Sequence, residues 1–114
     1  MAHNQGDILW LDMGFSTADG GKERPVLIIS NSSLQSYDDV IAVKITKTHI
    51  KDGFHYKLTD DMLSKPLPES SSIHFSNILT ISASIFTSRK KPIQLKQKYL
   101  DEVLDKIKDL IELE

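Results

Sequence analysis

Cysteine is absent from this chain of 114 residues. Disulfides and thiolate metal sites are therefore excluded, and the absence agrees with a reducing compartment. There is no run of about 18 apolar residues, and no basic segment leads into a short apolar core. Neither a membrane span nor a secretory signal is expected, and the expected location is cytoplasmic. The sequence also lacks a phosphate-binding glycine loop, a zinc-type His/Glu spacing and a calcium loop, so its chemistry should need no metal and no cofactor. The histidines, His3, His49, His55 and His74, are not spaced as a helical ligand pair. Arginine occurs only at positions 24 and 89.

With 39% apolar residues, the length fits one compact domain spanning 1–114. The net charge of −2 argues against a dedicated nucleic-acid binder until its distribution is considered. Residues 101–114 hold six carboxylates against Lys106 and Lys108, a net −4 that leaves +2 over the rest of the chain. That body has the charge for a basic face. Its two clusters are Lys44, Lys47, His49, Lys51, His55 and Lys57, then Arg89, Lys90, Lys91, Lys96 and Lys98; either also reads as ordinary solvated charge.

Four or five short strands are expected. Asp7–Met13 is apolar and runs into the turn-rich stretch Gly14–Gly21, and Pro25–Ser30 is a β-branched run ended by Asn-Ser-Ser. Val40–Ile45, a weaker Gly53–Leu58 and a longer Ile73–Ile81 interrupted at Asn77 follow. Leu58–Pro68, with two aspartates and two prolines, suits a short helical turn and an extended connection. From about Lys96 the period changes: Leu100, Val103, Leu104, Ile107, Leu110 and Ile111 recur at three and four residues, giving one amphipathic helix. No second apolar helix is available, so its stripe must pack on the sheet or on another chain. The expected fold is β-rich α+β, a small curved antiparallel sheet closing toward a barrel and capped by that helix.

The stretch GKERPVLIISN, Gly21–Asn31, puts Arg24 where a glycine-bearing loop becomes an apolar strand. An arginine so placed is presented by a rigid element, and its planar fork suits a phosphate. Read alone, it also fits a solvated surface charge.

GDILWLDMG, GKERPVLIISN, VIAVKIT, SSIHFSNILTI and the closing helix, taken together and in order, resemble the MazF/PemK family of toxins. The resemblance covers Gly6 to about Leu113. It implies an SH3-like barrel of the CcdB/PemK type and a homodimer. The implied activity is a metal-independent endoribonuclease cutting single-stranded mRNA at a short sequence, with a cognate antitoxin covering the site. The arginine of the family's Arg-Pro motif falls on Arg24, and the threonine closing its Ile-Thr strand falls on Thr46. These two are the implied catalytic residues, with the RNA 2′-hydroxyl as nucleophile and a cyclic phosphate and a 5′-hydroxyl as products.

The chain departs from the family between His74 and Ser82. Ser76, Leu79 and Ser82 stand where the family carries an acid, an arginine and an aspartate, and Asn77 replaces a glutamine. In some members the position of His74 holds a catalytic arginine, and histidine is able to move a proton near neutral pH; a plain surface histidine is the alternative. Lys47, Asn77 and Thr80 are the candidate RNA-binding residues. The losses leave a second reading open: a catalytically decayed binding module on the same barrel, or a CcdB-like gyrase inhibitor.

Overall fold

The computed structural model describes residues 4–12, 23–86 and 90–113. The turn-rich loop 13–22, His3 and Arg89 lie outside the described residues. Six strands build one antiparallel sheet: β1 (Asp7–Asp12), β2 (Glu23–Ile28), β3 (Asp39–Thr46), β4 (His55–Lys57), β5 (Ser72–Ser82) and β6 (Ile93–Gln94). They lie in the order β4-β5-β3-β2-β1-β6, and α1 (Gln97–Leu110) ends the fold. Short 3-10 turns occupy Ser32–Tyr37, Asp60–Met62 and Ala83–Ile85.

The sheet curls toward a barrel, with β4 and β6 at its two edges. Between them runs the chain leaving β4: Leu63 bridges Leu95, Ser64 N–H donates to the Gln94 carbonyl at 2.9 Å, and Lys96 N–H to the Met62 carbonyl at 2.9 Å. This segment satisfies the exposed edge of β6, which is how a small curled sheet avoids an open edge. The expected curved antiparallel sheet with a C-terminal helix is therefore the architecture found. The turn expected between Leu58 and Pro68 is the 3-10 turn at Asp60–Met62.

Alternation along the strands makes two apolar layers. Ile8, Trp10, Leu27, Val43, Ile45 and Ile73 face α1, which contributes Leu100, Val103 and Ile107. Leu9, Leu11, Val26, Ile28, Val40, Ala42 and Ile81 form a second cluster on the other face. The helix stripe buries at i, i+3 and i+7, as a helix lying on a sheet requires. It stops a turn earlier than the sequence pattern: Leu110 is 39% and Ile111 73% exposed. Tyr56 O–H donates to the Glu102 carboxylate at 2.6 Å and ties β4 to α1.

One irregularity decides which side chains face outward. Along β3 and β5 the register runs Val40↔Ile81, Ala42↔Leu79 and Val43↔Ile78, then shifts so that Lys44 opposes His74 and Thr46 opposes Ser72. Phe75, Ser76 and Asn77 form the bulge. An odd number of extra residues flips the faces of the strand. Ile73 and Phe75 consequently join the helix-side core, whereas Ile81 and Leu79 join the other one.

At the entry to β1, Gly6 has φ of +93°, a conformation costly for a residue with a Cβ, and an added Cβ would stand 3.0 Å from Leu100 Cδ2. Its N–H donates to the Ile28 carbonyl at 2.8 Å, and its carbonyl accepts from Leu95 N–H at 2.9 Å. Gly6→Ala is expected to cost about 1–2 kcal/mol. A thermal melt should show a loss of roughly 5–10 °C in Tm, and an unchanged melt would contradict this account of the turn.

Candidate active site

β2 and β3 pair only from Val26↔Lys44 onward. Ahead of that point Glu23, Arg24 and Pro25 pair with β1 alone, as Asp12↔Glu23, Leu11↔Arg24 and Trp10↔Pro25. On the other side Ile45 and Thr46 pair with β5. Proline has no N–H to give a ladder, so Pro25 fits the point where two strands part. Between the parted ends opens a cavity of about 700 Å³, lined in part by Trp10, Arg24, Pro25, Lys44, Thr46 and Lys47. Extending the β2–β3 register by two residues sets Arg24 across from Thr46, on one sheet face with Lys44.

The lining is rich in charge. It carries Arg24, Lys44, Lys47 and Lys90 against Glu23 and Glu69. Lys90 Nζ stands 3.8 Å from the Glu23 carboxylate and 5.3 Å from the centroid of the Trp10 ring. Lys47 Nζ meets Glu69 at 3.0 Å, with both side chains more than half exposed. Such a pair is worth about 0–1 kcal/mol in water, so Lys47 is readily released to another anion. Thr46 Oγ1 accepts the Thr48 N–H at 3.3 Å. That bond uses a lone pair and leaves the hydroxyl proton for donation.

The expected site residues divide into two groups. Arg24, Thr46 and Lys47 share the cavity. His74 does not line it; it opposes Lys44 on one side and His55 on the other. Asn77 sits half-buried in the bulge, and Thr80 is exposed opposite Ile41, five residues along β3 from Thr46 and about 17 Å away at the usual rise. Lys44 is the residue that sequence reasoning placed only in a basic cluster. Its signal was present: one lysine inside the otherwise apolar run VIAVKIT. Lys90 stood only in the second basic cluster, and Glu23 and Glu69 carried no signal, since all three reach the cavity by tertiary folding.

His74 has its pKa held below the ordinary histidine value, first by burial, then by His55 and Lys44, while Asp52 opposes the shift. It is therefore neutral at pH 7. The unfolded chain binds this proton more readily than the folded one, so acid favours unfolding as pH falls below the ordinary histidine value. Stability should fall as the pH drops below the ordinary histidine value of about 6.5, and His74→Gln should flatten that part of a Tm-against-pH curve. An equal slope in the variant would count against it. Asp52, whose carboxyl is lowered chiefly by its hydrogen bond to His55, acts only in the carboxylate range below that window.

The chain matches the family model described as PemK-like, MazF-like toxin of type II toxin–antitoxin systems over residues 4–111. No curated protein sequence matches it. Among solved structures it is similar to a mycobacterial endoribonuclease in complex with its cognate antitoxin, at TM-score 0.75 and 19% identity over 99% of this chain and 98% of that one. It is also similar to MazE–MazF from Deinococcus radiodurans, at TM-score 0.76 and 17% identity over 100% and 99% of the two chains. For Mycobacterium tuberculosis toxin MazF-mt6 the values are 0.67 and 19%, over 95% and 98%. At these identities the structures speak for the fold, and the family model covers nearly the whole sequence. The chain belongs to the PemK-like, MazF-like toxins of type II toxin–antitoxin systems.

Proposed function

We propose that this protein is a metal-independent endoribonuclease that cuts single-stranded mRNA at a short sequence, with Arg24 and Thr46 as its catalytic residues. The observation that carries the reading is the meeting of Arg24, Lys44 and Thr46 on one cavity at the parted ends of β2 and β3. The 2′-oxygen attacks the adjacent phosphorus as its proton passes to water, and the bond to the 5′-oxygen breaks as that oxygen takes up a proton from water. The products are a cyclic phosphate and a 5′-hydroxyl. Arg24 balances the charge building on the phosphorane oxygens, and Thr46 donates a hydrogen bond to one of them. Positioned donors of this kind act electrostatically, without a covalent intermediate. Lys44 and Lys47 hold flanking phosphates.

Ser76, Leu79 and Ser82, where the family carries charge, are not among the residues lining the cavity. Their loss leaves the proposed chemistry intact, which favours an active enzyme over a decayed binding module. Asn77 and Thr80 are proposed to touch RNA beyond the cavity, across a two-fold homodimer. The mycobacterial endoribonuclease solved in complex with its cognate antitoxin supports a cognate antitoxin as partner, and Lys47, released from Glu69, suits an acidic antitoxin segment. The working compartment is the cytoplasm, where mRNA is.

The test is a long single-stranded RNA incubated with the purified protein in EDTA. Fragments ending in a cyclic phosphate are expected. A 2′-O-methyl RNA should survive, because its nucleophile is blocked. Intact RNA in the first reaction, with Arg24→Ala indistinguishable from wild type, would sink the proposal.

A further inference from the structure

Beside the cavity, three histidines that are scattered in sequence form one column. His74 of β5 opposes His55 of β4, and their rings stack with centroids 4.3 Å apart at an interplanar angle of 15°. His49, from the loop after β3, meets His55 edge-on at 6.3 Å, and its Nδ1 lies 2.8 Å from Ser72 Oγ. The His55 side chain is 4% exposed, with Nδ1 at 2.9 Å from the Asp52 carboxylate. Hydrogen bonding to a carboxylate fixes the proton on Nδ1 and locks the ring. His74 is only half-buried, and Lys44 stands opposite it on β3.

Two features argue that this column is more than packing. It was made by the bulge in β5: without the extra residues, the parity of β5 would turn His74 toward the helix-side core. It also adjoins the cavity through Lys44, which lines the cavity and neighbours His74. β5 lies two strand spacings from β2, about 10 Å from the strand bearing Arg24. Among the described residues no group of three or more His, Cys, Asp or Glu is arranged to hold a metal ion; these rings lie against one another, with no common focus for their nitrogens.

We infer that Lys44 and the His74 end of this imidazole column form a proton-gated subsite for a phosphodiester flanking the one in the cavity. The inference rests on the nuclease reading and deepens it. The groups facing His74 are Lys44 from β3, His55 from β4, and Asp52 behind His55 in the loop that leads into β4, with His49 of the same loop at the far end. Burial, His55 and Lys44 keep His74 neutral in the free protein at pH 7. A phosphate anion seated between Lys44 and His74 reverses the local field, so RNA binding takes up a proton. The imidazolium then donates a charge-assisted hydrogen bond to the phosphate. His74 on this account contacts a neighbouring nucleotide and does not serve as the base at the scissile phosphate.

The probe is a 2′-O-methyl RNA 20-mer of mixed sequence, which binds without being cut. Its affinity is measured at pH 6 and pH 8 at fixed ionic strength, with long unmodified RNA cleaved in parallel. Wild type should bind roughly 3- to 10-fold tighter at pH 6. His74→Gln should remove most of that difference, with its fold checked by a melt at pH 8. Lys44→Gln should lower the salt slope of log affinity by about 0.7, the loss of one phosphate contact on a single strand. A pH dependence that survives in His74→Gln, or one absent from wild type, overturns the subsite even when the parallel RNA is cleaved. If wild type neither binds nor cleaves RNA, the nuclease reading falls and the subsite falls with it.

Discussion

Arg24→Ala should lower the single-turnover rate of RNA cleavage by about 10² to 10³, the usual cost of losing one donor aimed at transition-state charge. The expectation follows from where the strand holds this residue. Arg24 is half-buried, pairs through its backbone with Leu11, and lines a cavity whose other cations are lysines. A lysine neutralises as a point charge, whereas a guanidinium presents two parallel N–H donors to two phosphorane oxygens. Arg24→Lys should accordingly fall between the alanine variant and wild type. Binding of the uncleavable RNA should change far less than the rate, since the interaction strengthens only as charge develops. Thr46→Val, nearly isosteric and without the hydroxyl, should also cost rate, and the double variant should lose less than the product of the singles, because the two act on one phosphate. Equal cleavage by Arg24→Ala and wild type would remove Arg24 from the chemistry.

Much of the framework was legible in the sequence, and the reasons lie in period and chain length. The runs at Asp7, Pro25, Val40 and Ile73 are long and apolar, the last three rich in β-branched residues, so they register as strands, and the helix stripe from Leu100 to Ile107 has an unmistakable 3.6-residue period. β6 is two residues, Ile93–Gln94, behind Lys-Lys-Pro, too short to carry a pattern. The Asn-Ser-Ser signal at 31–33 marks the end of the strand, and the chain there folds as a longer 3-10 segment, Ser32–Tyr37. The interruption noticed at Asn77 is the bulge, yet sequence gives no hint that the bulge swaps the faces of β5, since odd positions stay apolar on both sides of it. That hidden swap separates His74 from Asn77 and Thr80. Arg24 and Thr46 came from local motifs, and their sharing of a cavity depends on register between β2 and β3, which local sequence does not encode. The histidine column was out of reach for the same reason: positions 49, 55 and 74 meet only through the pairing of β5 with β4 and the loop that folds over it.

Leu100→Ala should cost about 2–5 kcal/mol of stability, the range for a buried leucine whose site cannot collapse. Leu100 is 3% exposed and belongs to the layer that α1 shares with Ile8, Leu27 and Ile73. It also packs beside the strained Gly6, where an added Cβ would stand 3.0 Å from its Cδ2. The helix thus supports the turn that starts β1, and β1 is the strand on which Glu23, Arg24 and Pro25 are aligned. Against a typical total of about 5–15 kcal/mol, such a loss leaves a protein folded only in the cold. Denaturant titration should show a lower midpoint with an unchanged slope, marking lost stability without a change in the surface exposed. Cleavage per folded molecule at low temperature should stay within a few-fold of wild type, because no atom of Leu100 lines the cavity. A rate loss at full folding would mean that the helix controls the alignment of Arg24, and a midpoint equal to wild type would refute the packing account of α1.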